Sequence, residues 1–159
     1  MSINPPLFTQ ADEQFMNVAL QLAAAAGESG EVPVGAVVVR GGHVVAGAAN
    51  APINEHDPSA HAEIRAIREA ARLLGNYRLP GCTLYVTLEP CCMCAGAIIH
   101  ARLQRLVYGA SDGRTGAAGS RFELLPNPAH NHQPVVEGGL LADASAALLK
   151  AFFAARRRS

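Results

Sequence analysis

Two short stretches of this chain carry side chains able to hold a metal ion and move a proton. One is His61-Ala62-Glu63. The other is Glu89-Pro90-Cys91-Cys92-Met93-Cys94, which contains three of the four cysteines. On a helix opened by Pro90, Cys91 and Cys94 stand at i and i+3 and share a face. Cys92 is turned by about 100° from Cys91 on such a helix and cannot easily join them. Helix N-termini favour anions, and so favour the thiolate form in which cysteine binds metal. His61 is the candidate third ligand. Three protein ligands with a fourth position left to water describe a catalytic zinc site rather than a structural one. Glu63 would then act beside that water as base and acid in turn. Residues i and i+2 of a regular helix lie about 200° apart. His61 is therefore expected in the first turn of its helix, with the longer Glu63 side chain reaching round to the same centre.

The elements that must position these groups follow from local signals. Thr9 and Asp12 open a predicted helix over about residues 11–27, with Phe15, Val18, Leu22 and Ala26 on its apolar stripe. The β-rich runs 32–40 and 43–50, joined through Gly41-Gly42, predict a hairpin. Asp57 reads as an N-cap with Pro58 at the first helical position, and Gly75 as the stop of that helix. Cys82 to Leu88 is a short apolar run and a predicted buried strand. A helix from Pro90 follows, then the strand Arg105 to Ala110. Residues 111–133 form a long loop expected to hold one short helix. A short strand at 134–139 and a closing helix over 142–158 complete the chain. This alternation predicts a three-layer α/β/α domain spanning residues 1–159, with 1–8 as a loose arm.

Half of the residues are hydrophobic and 16% are charged, which excludes a disordered chain. The net charge is zero, so no strong overall field points to an acidic partner. The halves differ, however. Residues 1–99 carry five basic and nine acidic side chains, and residues 100–159 carry eight and four, so the C-terminal part is +4. A local basic surface of that kind can meet phosphates. No apolar run is long enough to span a membrane. The absence of a signal-peptide pattern, with clustered cysteines unlike a disulfide framework, points to a reducing cytoplasm.

Taken together, His-x-Glu followed by Pro-Cys-x-x-Cys resembles the signature of the zinc nucleobase deaminases. The resemblance extends from about Met16 to Arg157 and is to the bacterial tRNA-specific adenosine deaminases, which convert the wobble adenosine of the anticodon to inosine. It is carried by "EVPVGAVVV", "NAPINEHDPSAHAEI", "NYRL", "TLYVTLEPCCMCAGAIIHAR", "DGRTGAAGS", Asn131-His132 and "LLKAFFAARRR". It implies a cytidine-deaminase-like fold with a central mixed sheet of about five strands, one zinc ion per subunit, a homodimer, and the anticodon stem-loop of an arginine tRNA with an ACG anticodon as substrate. His61, Cys91 and Cys94 match the zinc ligands and Glu63 the proton shuttle. Asn50 matches the residue that hydrogen-bonds the target nucleoside. Val34 and Leu88 match pocket walls, Asp112 a ribose contact, and Phe153 and Arg156 the helix that touches the anticodon loop. Arg114, Ser111 and Ala144-Ser145 depart from the family pattern, and none of them belongs to the zinc motif.

Other readings of the same residues stand beside these. Asn50 and Asp112 alone would be turn residues, Cys82 a buried thiol and Cys92 a packing residue. His130 and His132 would either border the RNA site or pin their loop. A deaminase of free guanine or cytidine would keep the zinc motif without needing the "DGRTGAAGS" loop or the basic end. A structural zinc or redox module would need a fourth Cys or His, or a Cys91–Cys94 disulfide.

Overall fold

The computed structural model describes residues 7–158. The expected arm 1–8 thus lies outside the described residues except for Leu7 and Phe8, and Phe8 packs against the core. Helix α1 (Gln10–Glu28) opens on a capping box. The Thr9 hydroxyl accepts from the Asp12 N–H at 3.1 Å while Asp12 accepts from the Thr9 N–H at 2.9 Å. Its buried stripe is Met16, Ala19, Leu20, Ala23 and, as expected, Ala26, whereas Val18 is exposed and Phe15 and Leu22 only partly covered. The predicted stripe was rotated because the small Ala19 and Ala23 let the helix lie close on the sheet, a contact that hydrophobicity alone undervalues.

Strands β1 (Gly35–Arg40) and β2 (His43–Ala49) form the predicted hairpin. Its two-residue turn needs positive φ twice, which Gly41 (58°) and Gly42 (79°) supply. A short helix, α2 (Pro52–Glu55), was not foreseen. Helix α3 spans Ala62–Leu74, β3 Cys82–Leu88, α4 Cys92–His100, β4 Arg105–Ala110, β5 Val135–Gly138 and α5 Ala142–Arg157. The segment 111–134 contains no helix; a single bridge, Ala118 to Glu123, replaces the expected one.

The sheet is mixed and five-stranded, in the order β2-β1-β3-β4-β5. β1 pairs antiparallel with both β2 and β3, and β3, β4 and β5 run parallel. The period-2 alternation of each strand divides the apolar side chains between two cores. Val38, Leu84, Val86 and Leu106 meet Ala66 and Ile67 of α3 and Ala95 and Ile98 of α4. Val37, Val39, Tyr85 and Val107 meet α1 on the other face, with Leu148 of α5 packed against them. This is the α/β/α sandwich the sequence predicts. Because β2, β3 and β4 point the same way, their carboxyl ends, Asn50, Leu88 and Ala110, reach one edge of the sheet, and β1 begins there at Val34-Gly35. Ligands of open α/β sheets bind at such an edge.

Candidate metal centre and substrate cleft

At that edge the structure gathers His61, Glu63, Cys91 and Cys94. Both ligand-bearing loops end as helix N-caps. His61 caps α3 with extended backbone (φ −70°, ψ 151°), and Cys91 caps α4 likewise (φ −77°, ψ 178°). Neither side chain bonds its own helix end, so each is available to a ligand. Two positive helix ends thus face the same point.

This corrects two sequence expectations. Asp57 is not the N-cap of α3. Its carboxylate accepts from the Ser59 N–H at 2.8 Å and the Ser59 hydroxyl at 2.7 Å, closing a turn before the helix. Pro90 likewise does not begin α4, which starts two residues later. Since His61 is extended rather than helical, the 200° conflict with Glu63 disappears. His61 projects from the approach to α3 and Glu63 from its first turn.

Nδ1 of His61 lies 3.6 Å from the sulfur of Cys91 and 3.5 Å from that of Cys94. A tetrahedral zinc with bonds of about 2.3 Å to sulfur and about 2.0–2.1 Å to nitrogen spaces its ligands by roughly 3.5 Å. The three donors therefore fit zinc, and they are the group of metal-ligating residues found among the described residues. The hydrogen bond from Cys94 draws the Cys91 thiol down to about 4, with His61 adding to it against the cost of burial. The same hydrogen bond, with burial, pushes Cys94 up. Cysteine binds metal as the thiolate, so a divalent cation held by this pair would displace protons from it. His61 is raised, first by its bond to Cys91. Glu63 is 4% exposed, and burial pushes its carboxyl up.

Cys94 is fully buried, and His61, Glu63 and Cys91 line a pocket of about 190 Å³. Val34, Asn50, Leu88 and Asp112 all line it, as expected, together with Val32, Glu89 and Thr115, which the sequence reading did not single out. Val32 was legible as the same-face neighbour of Val34 in the extended run; nothing local marks Thr115. Asn50 is fixed by its N–H on the Val34 carbonyl at 2.9 Å. A second cleft, of about 460 Å³, shares Val32, Leu88, Asp112 and Thr115 with the first and continues past Ser111 and Arg114 to Leu149 and Phe153. Phe153 is exposed at its wall. Arg156 turns elsewhere: its guanidinium lies 4.7 Å from the Phe152 ring centre and donates to the Gly30 carbonyl.

The remaining candidates have settled places. Asp112 accepts from the Arg114 N–H at 2.9 Å and the Thr115 hydroxyl at 3.0 Å, so it closes a turn and also faces the pocket. Cys82 is a buried free thiol, but Cys92 is exposed rather than a packing residue, since it leads the outer face of α4. His130 and His132 donate to the carbonyls of Leu124 and Leu103, at 2.9 and 2.6 Å. They pin the long loop beside the far end of α4. Ser145, where the family pattern differs, is buried and donates to the Thr87 carbonyl.

Residues 9–110 match the family described as the cytidine and deoxycytidylate deaminase zinc-binding region. The chain is 50% identical over 150 residues to the tRNA-specific adenosine deaminase of Haemophilus influenzae, covering 94% of this chain and 87% of that one. The chain belongs to the tRNA-specific adenosine deaminases. A second member of that family, from Bacillus subtilis, is 45% identical over 92% of this deaminase and 91% of its own length. A solved structure from studies of A-to-I editing by tRNA:A34 deaminases superimposes with a TM-score of 0.83 at 49% identity, over 86% of this chain and 99% of that one. Guanine deaminase from Nitrosomonas europaea is more distant, with a TM-score of 0.75 at 29% identity over 95% and 94% of the two chains.

Proposed function

We infer that this protein is a zinc-dependent hydrolase that converts adenosine to inosine at the wobble position of tRNA, with Glu63 as its proton carrier. The carrying observation is the His61-Cys91-Cys94 triad, of which His61 and Cys91 line, with a buried Glu63, one small pocket that shares its wall with a longer cleft. When bound, zinc supplies the activation of water at neutral pH.

The chain's own residues do the rest. Glu63 accepts the proton released as water adds to the carbon bearing the exocyclic amine. It passes that proton to the ring nitrogen, then takes the remaining proton of the added hydroxyl and gives it to the amine, so that the carbon–oxygen double bond forms as the carbon–nitrogen bond breaks and ammonia leaves. Its burial raises the carboxyl toward the range in which one group both takes and returns a proton. Val34 and Leu88 wall the base in, and Asn50 offers an amide to the nucleoside. Asp112, where the two cavities join, faces the ribose, a contact that separates RNA from DNA. Phe153 presents a ring to the neighbouring base, and Arg156 holds the helix that carries it. An anticodon-loop base is already unpaired, so turning it into the pocket costs little.

The finer parts of this reading are the arginine tRNA with an ACG anticodon as substrate, a single catalytic domain, a homodimer and a cytoplasmic location. The dimer is supported by the open outer face of α4, where Met93 is exposed and Gly96 has free space above it. Four free thiols support the location. No helix among the described residues is long and apolar enough to cross a membrane.

The experiment uses zinc-loaded protein and a transcript of that tRNA, digested and analysed for inosine at the wobble position. Free adenosine, cytidine and guanine are assayed in parallel. Inosine in the tRNA, lost in Glu63→Ala, is the expected result. Turnover of free guanine without inosine would move the protein to the guanine deaminase branch.

A further inference from the structure

Glu89 immediately precedes the Pro90-Cys91 step, yet the chemistry above gives it no role. It is 3% exposed. Both of its oxygens are turned into the loop that follows β4. Oε1 accepts from the Asp112 N–H at 3.0 Å and from the Ser120 hydroxyl. Oε2 accepts from the Ala118 N–H at 2.9 Å and the Ser120 N–H at 3.1 Å. Four donors from residues 112–120 therefore converge on one buried carboxylate, and hydrogen bonds to a charged acceptor are the strong ones. Gly116 closes the arrangement: a Cβ there would collide with both the Glu89 carboxyl and the Asp112 carbonyl. The Ala117 N–H also donates to the Pro90 carbonyl at 2.8 Å.

This loop carries Asp112 and Thr115, which line both the inner pocket and the outer cleft. Glu89 is thus a covalent neighbour of the metal-binding segment and the hub of the substrate-facing loop. We propose that Glu89 is a positioning residue that fixes the 112–120 loop, and through it Asp112, for binding the RNA beside the target base. The assignment rests on the function proposed above. It predicts a role in substrate affinity, since no atom of Glu89 is left to take part in proton transfer.

Glu89→Gln tests it. A glutamine has one acceptor oxygen where four donors need two, so one side of the loop loses its partner. KM for an anticodon stem-loop is expected to rise about tenfold, the equivalent of roughly 1.4 kcal/mol. kcat should stay within about twofold, with zinc still at one per chain. Combined with Asp112→Ala the effects should be non-additive, because both act through one contact. Amide hydrogen exchange of residues 112–120 should quicken. Ser120→Ala, which removes a donor without stranding a buried acceptor, should move KM the same way by less and serves if Glu89→Gln does not fold. A fall in kcat with KM unchanged, loss of zinc, additivity with Asp112→Ala, or unaltered exchange overturns the assignment. Wild-type protein that makes no inosine refutes the underlying function instead, and the exchange comparison then decides the loop assignment by itself.

Discussion

Replacing Glu63 by glutamine should separate activity from stability in opposite directions. The substitution keeps the shape of a side chain that is 4% exposed and removes only its capacity to carry a proton. No neighbour can take over. The one other carboxylate of the inner pocket besides Asp112 is Glu89, whose oxygens are engaged by four donors, and Asp112 is committed to its own turn. Loss of a general acid–base costs about 10²–10⁴ in rate, or roughly 2.7–5.5 kcal/mol of barrier. The fall should lie in kcat, with KM for the stem-loop little changed, because the pocket walls and the outer cleft are intact. The stability effect has the reverse sign. Burial raises the folded-state value of Glu63 above its unfolded value. The folded state is therefore penalised once the pH rises past the unfolded value, about 4.3. Glutamine lifts that penalty, so the melting temperature at pH 7 should rise by a few degrees, about 2–4 °C per kcal/mol for a chain of this size. The rise should be larger in metal-free protein, because a bound cation itself offsets the cost of the buried charge. Single-turnover kinetics, metal analysis and calorimetry at pH 7 and pH 4 make the comparison. Glu63→Gln that retains zinc and full kcat would refute the proton-carrier assignment, and one that melts lower at pH 7 would refute the burial argument.

The metal ligands, the outer cleft and the far core give further expected outcomes. Cys91→Ser should abolish stoichiometric zinc binding as read by atomic absorption, and in the wild type zinc affinity should weaken as the pH falls, because protons compete for the thiolates. Phe153→Ala should raise KM for the stem-loop by about 5- to 150-fold with kcat unchanged, the worth of one base stack at roughly 1–3 kcal/mol. Arg105→Met should destabilise the fold by about 3–5 kcal/mol. It removes the cation that, among the described residues, pairs with Asp12, which is 4% exposed and receives two bonds from Arg105, at 2.7 and 3.1 Å, and it leaves the buried charge to the neutral Thr9 N–H and Tyr85 hydroxyl donors. Arg105 holds the Asp12 carboxyl well below the usual carboxylate range, so this stabilisation is complete above about pH 4 and is lost as the pH falls further. The melting difference from wild type should narrow accordingly, and Asp12→Asn should restore part of it.

The residues of the metal centre were legible because their chemistry is unusual and their spacing short. What the sequence did not reveal is how the chain enters each helix. Asp57-Pro58 reads equally as a cap or as a closed turn, and only the Ser59 contacts decide between them. The strands and their hairpin were legible from alternation and the Gly-Gly turn. The Asp12-Arg105-Glu137 network was not, because its partners stand 93 and 32 residues apart. Glu89 was visible in its motif, but its role depends on a loop that begins beyond the next strand.

The two cores have a consequence for how this sequence can drift. The reactive groups all spring from the loops around α3 and α4, whose packing face is shared with the metal ligands. The α1 face, with Met16, Tyr85 and the Asp12-Arg105 pair, lies across the sheet and touches none of them. Mutations can therefore accumulate there and alter thermal tolerance while leaving turnover constant. On the α3–α4 side a comparable repacking would register first as lost metal. A library randomised on each face and selected for inosine formation at two temperatures should diverge in that pattern, the far face supplying the temperature variants and the near face remaining almost invariant.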